Sequence, residues 1–442
     1  MEKTLQKNYT LPMLMMFALF FMIAFVTGLQ NPLGVIVKEQ FGLANWQSQL
    51  GNAANFIAYA FMGVPAGYLL QRIGYKRTAL LAIAVGFVGV SVIFSGGYVA
   101  TLAPEGHANM SGFYIYLLGA FIGGFSVCML NTVVNPMLNT IGGGGNRGNQ
   151  MVQFGGSCNS FGATIVPILG GYLMGADKTI LGTENALWLA MSIFALAFVV
   201  LYLTDIPEPF VVSSEKDEND KHSALSFRHF KLGALAIFVY VGVEVGIANI
   251  ANLYMTAPVE PLQEGVPVGL GIDETTAGMI VGIYWLLMLV GRLIGGAIGA
   301  RISSKTMLTV VSSAGIALVL LAMFLPQIGV MMPAFDKSTL AFSLKAVPVN
   351  IMLLMLCGLC TSIMWGGIFN LAVEGLGKYT SMASGLFMVM VCGGGILPAI
   401  QGWIADIAGY MASYWVIILA MAYMLFYALV GSKNVNTDIV VE

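Results

Sequence analysis

The sequence predicts an all-α membrane protein of twelve transmembrane helices arranged as two six-helix bundles. Three observations carry that prediction. Charged residues make up 9% of the chain against 58% hydrophobic, where a water-facing domain carries about 25% charge. Long apolar runs recur from end to end, and mean hydropathy is +0.85. One charged segment divides the runs into two equal sets. The 54 glycines suit the close helix–helix approach that packing in lipid requires.

A span needs about 20 mostly apolar residues. On that measure the runs fall near 11–36, 48–70, 78–100, 112–139, 149–175 and 186–204, then near 232–256, 275–300, 306–331, 349–373, 380–404 and 411–431. Between the sets lies 205–231, which carries SSEKDENDKHS. The expected domains are therefore a bundle at 1–204, a linker at 205–231 and a bundle at 232–442. The N-terminus places Lys3 and Lys7 before a long apolar run with no small-residue cleavage site, the pattern of an uncleaved first span.

Lys/Arg bias sets the orientation. With the N-terminus inside, the inner segments hold Lys3, Lys7, Arg72, Lys76, Arg77, Arg147, Lys216, Lys221, Arg228, Lys231, Arg301, Lys305, Lys378 and Lys433. The outer segments hold only Lys38, Lys178, Lys337 and Lys345. Both termini and the linker are thus expected in the cytoplasm. Short loops and a compact linker point to a bacterial inner membrane, with the chain a monomer in its bilayer.

Several chemistries are excluded. A net charge of −2 and the lack of a large basic tract leave no basis for a nucleic-acid partner. The five cysteines lie in apolar runs, and the Cys357/Cys360 pair (CGLC) sits among Met, Leu and Gly, which argues for packing over metal or redox chemistry. No HExxH, nucleophile elbow or Walker loop occurs, and Gly142–Gly145 lacks the Lys-Ser/Thr of a phosphate loop and reads as a turn. The chain is not expected to be an enzyme. No metal site or cofactor is expected beyond a coupling ion, H⁺ or Na⁺.

Certain motifs carry a resemblance. Gly67–Arg77 (GYLLQRIGYKR) joins spans 2 and 3, and Gly295–Lys305 (GGAIGARISSK) lies at the matching place between spans 8 and 9. With the six-plus-six plan, this resembles the major facilitator superfamily, with Gln71 where its loop motif usually has an acid. The resemblance implies a cytoplasmic gate latch at these loops, with Arg72 in it; plain positive-inside anchoring is the other reading. Leu130–Pro136 (LNTVVNP), Cys158–Ala163 (CNSFGA), Tyr240–Glu244 (YVGVE), Val290–Gly295 (VGRLIG), Leu376–Thr380 (LGKYT), Gly393–Pro398 (GGGILP) and Gly402–Asp406 (GWIAD) follow in order. Together they resemble the fucose–galactose–hexose symporter family, from span 1 through span 11. The resemblance implies a monosaccharide carrier working by alternating access around a midplane site.

Sugar recognition needs hydrogen-bonding side chains around a cavity, since each desolvated hydroxyl must be paired again. Gln30 and Asn31 in span 1, Asn55 in span 2, Asn131 and Asn135 in span 4, Asn159 in span 5, and Asn249 and Asn252 in span 7 are the candidates. Asn131 and Asn135, four apart, share a helix face. One or two such amides would serve as helix glue at around 1 kcal/mol each; this many point to a polar cavity. Trp365 is a candidate to stack on a sugar ring, and packing is the alternative.

The family comparison also marks departures. Asn31 and Asn131 stand where fucose-transporting members carry proton-coupling carboxylates, and Gly156 stands where they have a sugar-binding glutamine. Glu244 is then the acid left near the midplane, roughly 18 Å into span 7 at 1.5 Å per residue. A carboxylate in hydrocarbon is a functional-site hypothesis by default. It is expected to exchange a proton, bind Na⁺ or accept a sugar hydroxyl; a helix staple is the structural alternative. Arg292 in span 8 lies nearer the cytoplasm, so a direct pair with Glu244 would require a reach. Arg292 is expected to snorkel to the inner edge or bind gate carbonyls. The expected function is secondary transport of a hexose such as glucose, galactose or fucose, as cation-coupled symport. An N-acetylhexosamine or other small polar solute, passive transport, and a non-transporting sugar sensor are the alternatives.

Overall fold

The computed structural model describes residues 10–43, 47, 50–102, 109–173, 179–206, 208, 222–260, 268–272, 274–336, 339, 341–436, 438, 439 and 441. Among the described residues the helices make up twelve spans. Span 1 is Thr10–Phe41, and Leu50–Ala100 is spans 2 and 3 run together across a break at Gly74. Met110–Ile141, Gly145–Leu173 and Glu184–Leu203 complete the first half. Spans 7, 8 and 9 are Arg228–Thr256, Glu274–Ile298 and Ser304–Phe324. Span 10 is broken into Val349–Thr361 and Met364–Val373, and span 11 into Thr380–Val389 and Gly393–Ala408. Span 12 comprises Tyr410–Ser413, Trp415–Phe426 and a π-helical turn at Tyr427–Gly431. Most of the linker lies outside the described residues.

Glycine sets how closely the helices approach. In the first half, Gly89 packs on the backbone of Gly119 and Gly123, and Gly96 on that of Gly112, where a Cβ would collide. Between the halves, Gly63 and Gly67 of span 2 meet Gly385 of span 11 backbone to backbone. Small residues allow such contacts where no hydrophobic force drives helices together in lipid. At Gly74 the chain turns with φ 82, a conformation open to glycine at little cost. There the Glu208 carboxylate accepts from the backbone N–H of Tyr75 (2.6 Å) and Lys76 (3.0 Å), tying the end of span 6 to the start of span 3.

The helix breaks differ from those the prolines suggest. Spans 1, 4 and 5 run helical through Pro32, Pro136 and Pro167. Span 10 opens instead at Ser362–Ile363, where no proline stands; the Ser362 carbonyl takes a side-chain donor, and the Ile363 carbonyl takes one beside the backbone N–H of Gly367. A β-hairpin, Gly329–Asp336 paired antiparallel with Ala341–Pro348, also replaces what reads in the sequence as the end of span 9 and a loop.

Hydrogen bonds between the halves, among the described residues, fall at the midplane and on the linker side. Asn139 donates to Asn370 Oδ1 (2.7 Å), Gln150 to the Gly296 carbonyl (2.8 Å), and Ser384 to the Thr132 carbonyl (2.9 Å). The linker side is therefore the closed side.

Candidate functional site

A cavity of about 270 Å³ lies between the halves at mid-depth, at the small end of ligand pockets (roughly 300–1,000 Å³). Span 1 contributes Phe20, Ile23 and Thr27, span 2 Phe56 and Tyr59, span 4 Asn131, and span 5 Gln153, Gly156 and Asn159. The second half contributes Val241, Glu244 and Val245 from span 7, Trp285 and Arg292 from span 8, and Ser362 and Trp365 from span 10. The walls are mostly apolar, with amides on one side and a charged pair on the other.

Asn131 and Asn159 both face this cavity. Asn131 Nδ2 donates to the Tyr59 hydroxyl (2.9 Å) and to the Val127 carbonyl (3.1 Å). Asn159 Nδ2 donates to the Phe20 carbonyl (3.1 Å). With these donors so held, the Asn159 oxygen is the end able to meet a ligand hydroxyl, and the Asn131 oxygen, which accepts a long bond from Asn135 Nδ2 (3.5 Å), keeps a second lone pair for one.

The charged pair is Glu244 and Arg292, joined at 3.2 Å between Oε1 and Nη2 with side chains 16% and 11% exposed. The reach that helix arithmetic requires is made by the long Arg292 stem, which runs up toward the midplane instead of snorkelling to the inner edge. Arg292 then makes three further bonds. Nη1 donates to the Ser160 hydroxyl (2.6 Å) and the Gly156 carbonyl (3.1 Å), both on span 5 in the other half. Nε donates to the Ser362 carbonyl (3.3 Å) freed by the break in span 10. A Cβ at Gly156 would touch Arg292 Cδ at 3.4 Å, an ordinary contact, so this position has room for little beyond a methyl group beside the crossing arginine. Gln153, one turn below, donates to the Ile363 carbonyl (2.8 Å), which also accepts from the Gly367 N–H (3.1 Å). The backbone at Glu244 is itself fixed, because the Tyr284 hydroxyl donates to its carbonyl (3.0 Å).

Other expected site residues fall elsewhere. Asn55 is buried off the cavity, its amide donating to the Gly51 carbonyl of its own helix (3.4 Å). Asn135 is fully buried and acts as a tie, accepting from Trp365 Nε1 of the other half (3.0 Å) while donating to the Asn131 carbonyl (2.8 Å). Asn249 is exposed and Asn252 half-buried, neither on the cavity; at 100° per residue they sit about 140° and 80° round the helix from Glu244. Gln30 and Asn31 lie in span 1, with side chains outside the described residues. Arg72 is exposed and lies over the Tyr68 ring at 5.0 Å; the contact that holds this loop is that of Glu208. Among the described residues there is no group of three or more His, Cys, Asp or Glu able to hold a metal ion.

Sequence reasoning did not single out Tyr59, Thr27, Ser160 or Ser362. Ser160 carries a signal in hindsight, since it stands one helical turn beyond Gly156 and on the same face.

Comparison with known proteins agrees with this architecture. The chain is 30% identical to a glucose/galactose transporter of Brucella abortus over 98% of this chain and 97% of that one. It is 22% identical to the L-fucose-proton symporter of Escherichia coli K12, over 91% of this chain and 89% of that one. The crystal structure of FucP in the outward conformation superposes with a TM-score of 0.78 at 21% identity, covering 96% of this chain and all of that one. Residues 16–397 match the profile of the Major Facilitator Superfamily, and the chain, a polytopic integral membrane protein, belongs to that family.

Proposed function

We propose that this protein carries a monosaccharide, a hexose of the glucose, galactose or fucose kind, across the membrane by alternating access, coupled to a cation through Glu244. The observation that carries the proposal is the mid-depth cavity walled by both halves, with Asn131 and Asn159 on one side and the Glu244–Arg292 pair on the other. Its size suits a small solute, and its amide oxygens and guanidinium suit hydroxyls, each of which must be re-paired when water is stripped away. Trp285 offers an apolar face for the C–H side of a sugar ring, and it stands edge-on to Tyr284, which fixes its orientation. The names of the relatives support the substrate class.

Between the two candidate ions, the ion pair favours the proton. A guanidinium at 3.2 Å already supplies positive charge to the carboxylate, so Na⁺ would have to displace it, whereas a proton neutralises the acid and loosens Arg292. The coupling step then reads as follows. Sugar and proton enter from the open side, Glu244 loses its charge, and Arg292 relaxes its hold on span 5. The linker-side bonds between the halves then part as the far side closes. With the linker and both termini in the cytoplasm, the open side faces outward and the sugar moves inward, across a bacterial inner membrane and through a monomer.

The test is uptake of labelled glucose, galactose, fucose and N-acetylglucosamine into proteoliposomes under imposed pH or Na⁺ gradients. Accumulation of a hexose driven by an inward proton gradient supports the proposal. Uptake of none of them, or uptake that no gradient raises above equilibrium, overturns it.

A further inference from the structure

The hairpin between spans 9 and 10 carries Lys345 and Ser343 on one face and only apolar residues on the other. Its register pairs Met332 with Lys345 and Ala334 with Ser343 on one face, and Met331 with Ala346 and Pro333 with Leu344 on the other. The first face packs against span 8, where Met332, Ala334 and Val347 are buried. The second face is bare: Met331 is 60% and Leu344 64% exposed, and Pro333 and Ala346 are exposed beside them. A hairpin in water keeps one polar face, and this one places its Lys345 on the packed side.

Continuity says what covers the bare face. No charged residue occurs from Thr306 to Phe335, so the lipid-facing surface of span 9 runs into β1 (Gly329–Asp336) without a charged break, and the one polar side chain between them, Gln327, donates to the Tyr254 hydroxyl (2.9 Å). Phe324, Leu325 and Ile328 are exposed along that path. Phe324 meets Trp415 of span 12 edge-on at 6.3 Å, and such an aromatic pair marks the level of the membrane interface. β1 starts five residues beyond Phe324. Each strand is about 27 Å long, so a hairpin standing upright would carry its apolar face far into water. It packs instead on span 8 and touches span 10.

We propose that this hairpin is an interfacial membrane element, its Met331/Leu344 face seated in the leaflet on the far side from the linker. It would anchor the ends of spans 8, 9 and 10 at the headgroup–acyl boundary, as amphipathic helices do elsewhere. The inference is independent of the substrate and of coupling.

Nitroxide labels at L344C and M331C test it, each in a background with the five native cysteines replaced and uptake retained. The protein is placed in liposomes, and collision with oxygen is compared with collision with a water-soluble nickel chelate; E260C, in an exposed far-side loop, is the aqueous reference. Oxygen collisions exceeding nickel collisions at both sites, unchanged on tenfold dilution of protein in lipid, are expected. Nickel-dominated collisions would place the face in water, and exclusion of both reagents would mean protein covers it. Either overturns the proposal, as does a shift on dilution, which would mark a second copy as the occupant.

Discussion

Ser160→Ala gives the sharpest probe of how the site is tied to the closed side. Arg292 holds span 5 through two bonds, to the Ser160 hydroxyl at 2.6 Å and the Gly156 carbonyl at 3.1 Å. A hydrogen bond to a charged group contributes about 1.5–3 kcal/mol. Removing the shorter one should lower the preference for the linker-side-closed state by that amount, roughly 10- to 150-fold in population at 1.4 kcal/mol per decade. The substitution leaves the helix intact and the Glu244 pair in place. Spin labels on the linker-side ends of spans 4 and 10, read by pulsed dipolar distance measurement in liposomes, report the result. The variant should populate a longer distance that is minor in the unmodified protein, and added sugar should shift it less. An unchanged distance distribution would refute the view that Arg292 clasps the two halves.

Three further substitutions examine the cavity and the closure. Asn131→Ala and Asn159→Ala should each weaken sugar binding by about 1–3 kcal/mol, seen by titration calorimetry as about a 5- to 150-fold rise in Kd; unaltered affinity in both would mean the sugar sits elsewhere. Gly385→Val should block linker-side closure, because a side chain there runs into the backbone of Gly63 and Gly67; thiol reagents applied from the linker side should then reach a cysteine placed at Asn139, and protection there would contradict the packing.

Much of the fold was legible because lipid leaves so few options: spans must be long, apolar and helical, and charges collect in the gaps. What the sequence hid has physical causes. The hairpin was obscured because β1 continues the apolar run of span 9, and an apolar strand facing lipid lacks the alternation that marks a strand in water. The opening of span 10 was obscured because it comes without proline; Arg292 satisfies the Ser362 carbonyl from outside the helix, and Gln153 adds a bond to that of Ile363.

The site was legible in kind but not in membership. Asn131, Asn159, Glu244 and Trp365 reach the cavity, whereas Asn135 ties the halves together and Asn55 bonds within its own helix. Counting amides cannot separate these roles, since cavity-lining residues and ties between halves both face the centre of the molecule. The Glu244–Arg292 pair was hidden for another reason. Rise per residue locates a Cα, and an extended arginine bridges the remaining depth. That pair also sharpens the family comparison: where Gly156 leaves span 5 without a side chain, a guanidinium from the opposite half fills the space.

Coupling of sugar movement to the proton through Glu244 is read out by counterflow in Glu244→Gln proteoliposomes. The variant keeps the size and a hydrogen-bonding oxygen but cannot cycle a proton. Exchange of labelled for unlabelled hexose should continue near the unmodified rate, while accumulation under an inward proton gradient should be lost. Concentrative uptake that survives in Glu244→Gln would contradict the account.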